Sequence, residues 1–152
     1  MNHPILLMLH VAFGVLCLVG SLWVFVETLN ASDGNLARIR RASLIVAFSM
    51  WIAYLIAGYW YMTFYAHDKA IILKGPWPFS HNFYMETKEH LVMMLLLLST
   101  YLPIAAAGRL ATNHAARSVV LWTSGLVAAL ALVADGFGGI IAMGVKVALL
   151  VK

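Results

Sequence analysis

The sequence predicts an all-α integral membrane protein, an up-down-up-down bundle of four helices. Two observations predict it. Of its 152 residues, 63% are hydrophobic and only 11% carry a formal charge, against about 45–50% and about 25% in a soluble domain. Four apolar runs each reach the roughly 20 residues that a helix needs to cross a bilayer, and the mean hydropathy of +0.90 agrees. This composition excludes a disordered chain, a nucleic-acid binder with a basic face and an ordinary water-soluble enzyme. Runs this long also exclude the strands of a membrane barrel, the other structure that satisfies its backbone in lipid.

The first run covers residues 4–26, and Pro4 suits a first helical turn. It has no basic leader or small-residue cleavage site, so it is expected to be retained rather than removed as a signal peptide. Ser32, Asp33 and Gly34 form a turn cluster within residues 30–35. The second run covers residues 42–66. Residues 67–85 read as a longer connection, because Gly75, Pro76 and Pro78 around Trp77 and Phe79 break a helix at its centre. Its aromatic residues place it at a membrane interface. The third run covers residues 89–107 and the fourth 118–141, where Gly136, Gly138 and Gly139 are expected to loosen the last turns. Residues 142–152 either continue that helix or lie on the surface. No repeat divides the chain, so 1–152 is one domain, and its short or moderate loops favour antiparallel neighbours.

Charge adds an orientation. Ten Lys and Arg oppose six Asp and Glu, which on a membrane protein reads as charge in the loops. All five arginines (Arg38, Arg40, Arg41, Arg109 and Arg117) fall in the first and third loops, and all five lysines fall towards the opposite side. The arginine loops are expected in the cytoplasm, with both termini outside, in a bacterial inner membrane. The single cysteine, Cys17, excludes an intramolecular disulfide and a thiolate zinc site.

With antiparallel helices, one end of the bundle receives His3, His10, His67, Asp68, His81, Glu86, Glu89, His90 and Asp135. Only His114 among the histidines lies at the other. His10 sits about 9 Å inside the first run, and its helical face continues through Gly14, Cys17 and Ser21. It reads either as a cofactor ligand or as a hydrogen-bonded core histidine beside a small-residue packing seam. His90 opens the third run with Glu86 one turn before it, placed to orient the imidazole, and Met94, Leu97 and Tyr101 carry that face onward. The alternative is a solvated helix start, where Glu86 and Glu89 meet the positive end of the dipole. His67 is expected to end the second helix, after the aromatic stretch 59–65, and His81 to lie in the connection. Asp135 lies within the fourth run and needs a partner.

Neutral imidazoles at matching depth on facing helices suit a low-spin haem b. The preferred axial pair is His10 with His90, and His67 is the substitute. The protein is then an electron-transfer subunit of a respiratory membrane complex, with quinone near Asp135. The alternative is a copper, zinc or iron ion held by His67, His81, His90 and Glu86. A cofactor-free accessory subunit is the third reading. No nucleophile–base set, phosphate loop or dinucleotide fingerprint is present, so catalysis by the chain's own side chains is not expected.

Residues 40–125 resemble the small four-helix membrane proteins that assist haem-copper oxidase assembly. Tyr65-Ala66-His67 resembles the Tyr-His pair that ends a helix there, with one residue inserted. Tyr84 and His90 resemble its tyrosine before a helix-opening histidine, and Asn113-His114-Ala115-Ala116-Arg117 its His-Arg-rich last helix start. The chain departs where that family has a histidine opening the second helix, since Arg40 and Arg41 stand here, and Pro103 falls late. The resemblance implies oxidase assembly as an alternative role, and marks His67, His90 and His114 as residues to consider together.

Overall fold

The computed structural model describes residues 4–151 and is 88% helical, without strands among them. Four helices follow in order: α1 (Pro4–Leu29), α2 (Leu36–Lys74), α3 (Glu86–Ala106) and α4 (His114–Leu150), with a π-helical segment, Ser80–Met85, immediately before α3. All four are long and apolar enough to cross a membrane. Their outward side chains are apolar too: Phe48, Leu97 and Trp122 are each about two-thirds or more exposed. In water such a surface would aggregate, so it fits an integral membrane protein.

Contacts between neighbours run in opposite senses. His10 meets Ala53 while Glu27 meets Arg38 across α1 and α2. Trp51 meets Thr100 while Arg40 meets Ala106 across α2 and α3. On the remaining side Arg117 of α4 meets Thr28 of α1. Helices α1 and α3 are not adjacent, each packing instead against α2 and α4. The central core holds Cys17, Val24, Val46, Leu102, Val120 and Val127, all fully buried. Small residues let the backbones approach, and the buried hydroxyls of Ser21, Ser43, Ser99 and Ser124 bond carbonyls of their own helices.

The helix ends are tied by polar side chains. Asn35 organises the first turn: its Oδ1 accepts from the Ser32 amide (2.8 Å) and its Nδ2 donates to the Glu27 carbonyl (3.0 Å). Arg38 donates through Nε and Nη2 to the two Glu27 carboxylate oxygens. Arg40 and Arg117 donate to the carbonyls that end α3 and α1, groups left without intrahelical partners. Asn113 caps α4 by accepting from the Ala116 amide at 3.1 Å.

Three boundaries differ from expectation. Helix α2 continues past His67 to Lys74, since Ala70 to Leu73 are compatible with helix, and the stop comes at Gly75-Pro76. The irregular connection therefore shrinks to residues 75–79. Gly136, Gly138 and Gly139 do not loosen α4, which runs on to Leu150. Beyond the level of His10, α2 continues for about 20 residues, or ~30 Å, and roughly the last 15 of them rise past the start of α1. With the end of α4 and the π segment they form a second tier around Tyr65, Ile72, Met85, Ile141 and Val145.

Packing in that tier is tight at Gly144, where a Cβ would lie 2.6 Å from Ser80 Oγ and 2.7 Å from Ser80 Cβ. Gly136 has open space instead. Gly144→Ala should cost roughly 1–3 kcal/mol by overpacking, while Gly136→Ala should be neutral or stabilise by up to about 1 kcal/mol. Thermal unfolding in detergent distinguishes the two.

Candidate functional site

Three ionisable side chains from three helices gather where the two tiers meet. His10 of α1 shares a hydrogen bond of 3.0 Å between Nδ1 and the Ala53 carbonyl of α2. That carbonyl requires the proton on Nδ1 and leaves Nε2 as the neutral ring's acceptor. Four residues on, Gly14 makes room for Asp135 of α4, whose Oδ1 lies 3.2 Å from where a Cβ would stand. Gly138, one turn beyond Asp135, does the same for Lys88 of α3, whose Nζ lies 2.8 Å from such a Cβ. Asp135 acts electrostatically on both Lys88 and His10, without a direct ion pair among the described residues.

A second constellation lies in the upper tier. The Tyr65 hydroxyl and His81 Nδ1 are 2.9 Å apart and both residues are buried, at 2% and 3% exposure. On the other side of the ring, Nε2 lies 3.5 Å from Oε1 of the half-exposed Glu86 carboxylate. Tyr61 stacks on Tyr65 at 5.1 Å between ring centres, and Trp60 packs at 5.5 Å. Together these form a chain of groups able to exchange protons, leading from the surface at Glu86 to buried Tyr65.

The expected site residues divide accordingly. His10 and Asp135 reach the interior, and His81 and Glu86 meet each other. His67 is exposed on α2, within that helix rather than at its end. His90 is exposed, and its Nδ1 bonds the Glu86 backbone carbonyl at 2.8 Å. The Glu86 carboxylate does not orient His90 as expected, because the π segment brings residues five apart together and aims it at His81. His10 and His90 stand on helices that do not touch. His67, His81, His90 and Glu86 do not converge, and no group of three or more potential ligands gathers among the described residues.

Lys88 was read as a loop cation, yet it stands seven residues before Leu95 on the buried stripe Leu95, Ser99, Leu102 and Ala106. The stripe after His90, namely Met94, Leu97 and Tyr101, is exposed. Extending both patterns back to the helix start identifies Lys88 as the inward residue. Comparison of the chain with protein-family profiles, with curated proteins and with solved structures returns no match.

Tyr65→Phe should destabilise the protein by about 1–3 kcal/mol, since it strips a buried imidazole of its partner. His67→Ala and His90→Ala should stay within about 0.5 kcal/mol of the parent. Chemical denaturation of the three variants in one detergent tests both statements.

Proposed function

We propose that the protein is an integral membrane up-down-up-down bundle that handles protons at the site formed by His10, Lys88 and Asp135. The observation that carries this reading is the convergence of the three groups inside an apolar bundle, Asp135 and Lys88 on glycine-cleared surfaces and His10 tethered to a carbonyl of α2. Ionisable side chains are costly in lipid, and those held between helices mark proton relays and ion or substrate pathways. His10 offers a free Nε2 as acceptor, Asp135 a carboxylate that takes and returns a proton, and Lys88 a cation that stabilises the ionised form. The chain Tyr65–His81–Glu86 lies at the same end, as an access route from the surface.

In this reading the arginine-tied end faces the cytoplasm of a bacterial inner membrane, following the positive-inside bias, and both termini face outward. Respiratory subunits that exchange protons with quinone are the partners that need such a site near an outer interface. Asp135 should accordingly give an infrared carbonyl band in nanodiscs whose intensity changes with pH over the range in which the protein stays folded. The band should vanish in Asp135→Asn and change its midpoint in Lys88→Met. A carboxylate that never protonates across that range would overturn the proposal.

One observation favours a second reading, a haem b held through His10. A ring anchored through Nδ1 to a carbonyl with Nε2 free has the arrangement of an oriented axial ligand. The second ligand would not be His90 of this chain as it packs here, and an imidazole from a partner subunit would supply it. A reduced-minus-oxidised spectrum of the membrane-extracted complex tests this reading: a b-type band lost in His10→Ala supports it, and a flat spectrum removes it.

A further inference from the structure

At the arginine end, the turn before α2 and the loop after α3 form an open cleft of about 320 Å³ lined by Asp33, Leu36, Arg40, Arg109, Ala111 and Thr112. The Arg40 guanidinium is pinned at its mouth. Nε donates to the Ala106 carbonyl at 3.3 Å, and Nη2 donates to Ala107 at 3.2 Å and Gly108 at 3.4 Å. Nη1 lies outside these bonds. The side chains of Arg109 and Thr112 make no hydrogen bond or ion pair among the described residues, and Asp33, the one acid in the lining, pairs with neither arginine. Arg38, by contrast, is taken up by Glu27. The cavity thus presents the Arg109 guanidinium, the Thr112 hydroxyl and Nη1 of Arg40 as donors with little to receive them.

We propose that this cavity binds the phosphate of an anionic phospholipid headgroup. A guanidinium edge matches two phosphate oxygens, and a side chain already fixed by three carbonyls loses little freedom on binding. A lipid, rather than a free anion, fits the surroundings. One turn from Arg40 along α2, Leu44 is exposed, and Ile104 is exposed one turn from Gly108 on α3. They offer an apolar track for acyl chains beside the headgroup. Basic clusters at the end of a membrane helix attract anionic lipid in the same way.

The test uses the full chain in neutral detergent, titrated with short-chain phosphatidylglycerol, phosphatidylcholine or inorganic phosphate while its melting temperature is followed. Phosphatidylglycerol should raise the melting temperature, and Arg109→Gln should weaken that effect about tenfold in apparent affinity. Arg41→Gln, which removes an equal charge outside the cavity, should leave it unchanged. Arg109→Gln breaks no bond within the protein, so it keeps the fold. Equal protection by phosphatidylcholine, or equal responses of the parent and Arg109→Gln, would overturn the proposal. Inorganic phosphate protecting as strongly at the same concentration would replace the lipid with a free anion and overturn it too.

Discussion

An ammonium and a carboxylate carried into an apolar bundle set the terms for the rest of this structure. Lys88 and Asp135 come from helices whose outward faces are Leu, Met, Val and Trp, so neither has ready access to water along the bundle side. Such groups are tolerated only where something of opposite charge or a polar partner shares their space. Each lies against a glycine, Gly14 or Gly138, where any side chain would occupy the volume the charge now fills. The same need fixes His10, whose ring is tethered to a carbonyl of α2 and stands within the field of both charges.

The two ends of the molecule use their charges differently. At the arginine end, Arg38, Arg40 and Arg117 donate to a carboxylate and to helix-terminal carbonyls, and so hold the helices together. At the opposite end the polar groups are mutually arranged rather than consumed: His10 keeps one nitrogen free, and His81 links Tyr65 to Glu86. A bundle tied together at one end, with titratable groups left free at the other, suits a protein whose proton exchange takes place near one face.

Much of this was legible in the residues. The four helices follow from apolar run length, the first turn from Ser32-Asp33-Gly34, and the interior placement of His10 from its small-residue face. The apolar run stops at residue 66, but α2 does not, because only Gly75-Pro76 carries a backbone reason to stop. Glu86 was assigned to His90 by α-helical spacing, and a π-helical segment, which no hydrophobic period announces, turned it to His81. Lys88 was counted with the loops because charge was weighed before register. Its place on the Leu95–Ser99–Leu102 stripe was available, and the position of a cation inside the bundle follows from that stripe alone.

The central claim is that Lys88 and Asp135 compensate one another inside the bundle, and a double-mutant cycle tests it most directly. Lys88→Met, Asp135→Asn and the double variant would be compared by reversible unfolding in one membrane mimetic. Compensation predicts that the double variant loses less stability than the two single losses combined, by more than about 0.5 kcal/mol, the scatter expected of independent sites. Losses that simply add within that margin would show two unrelated charges and contradict the account.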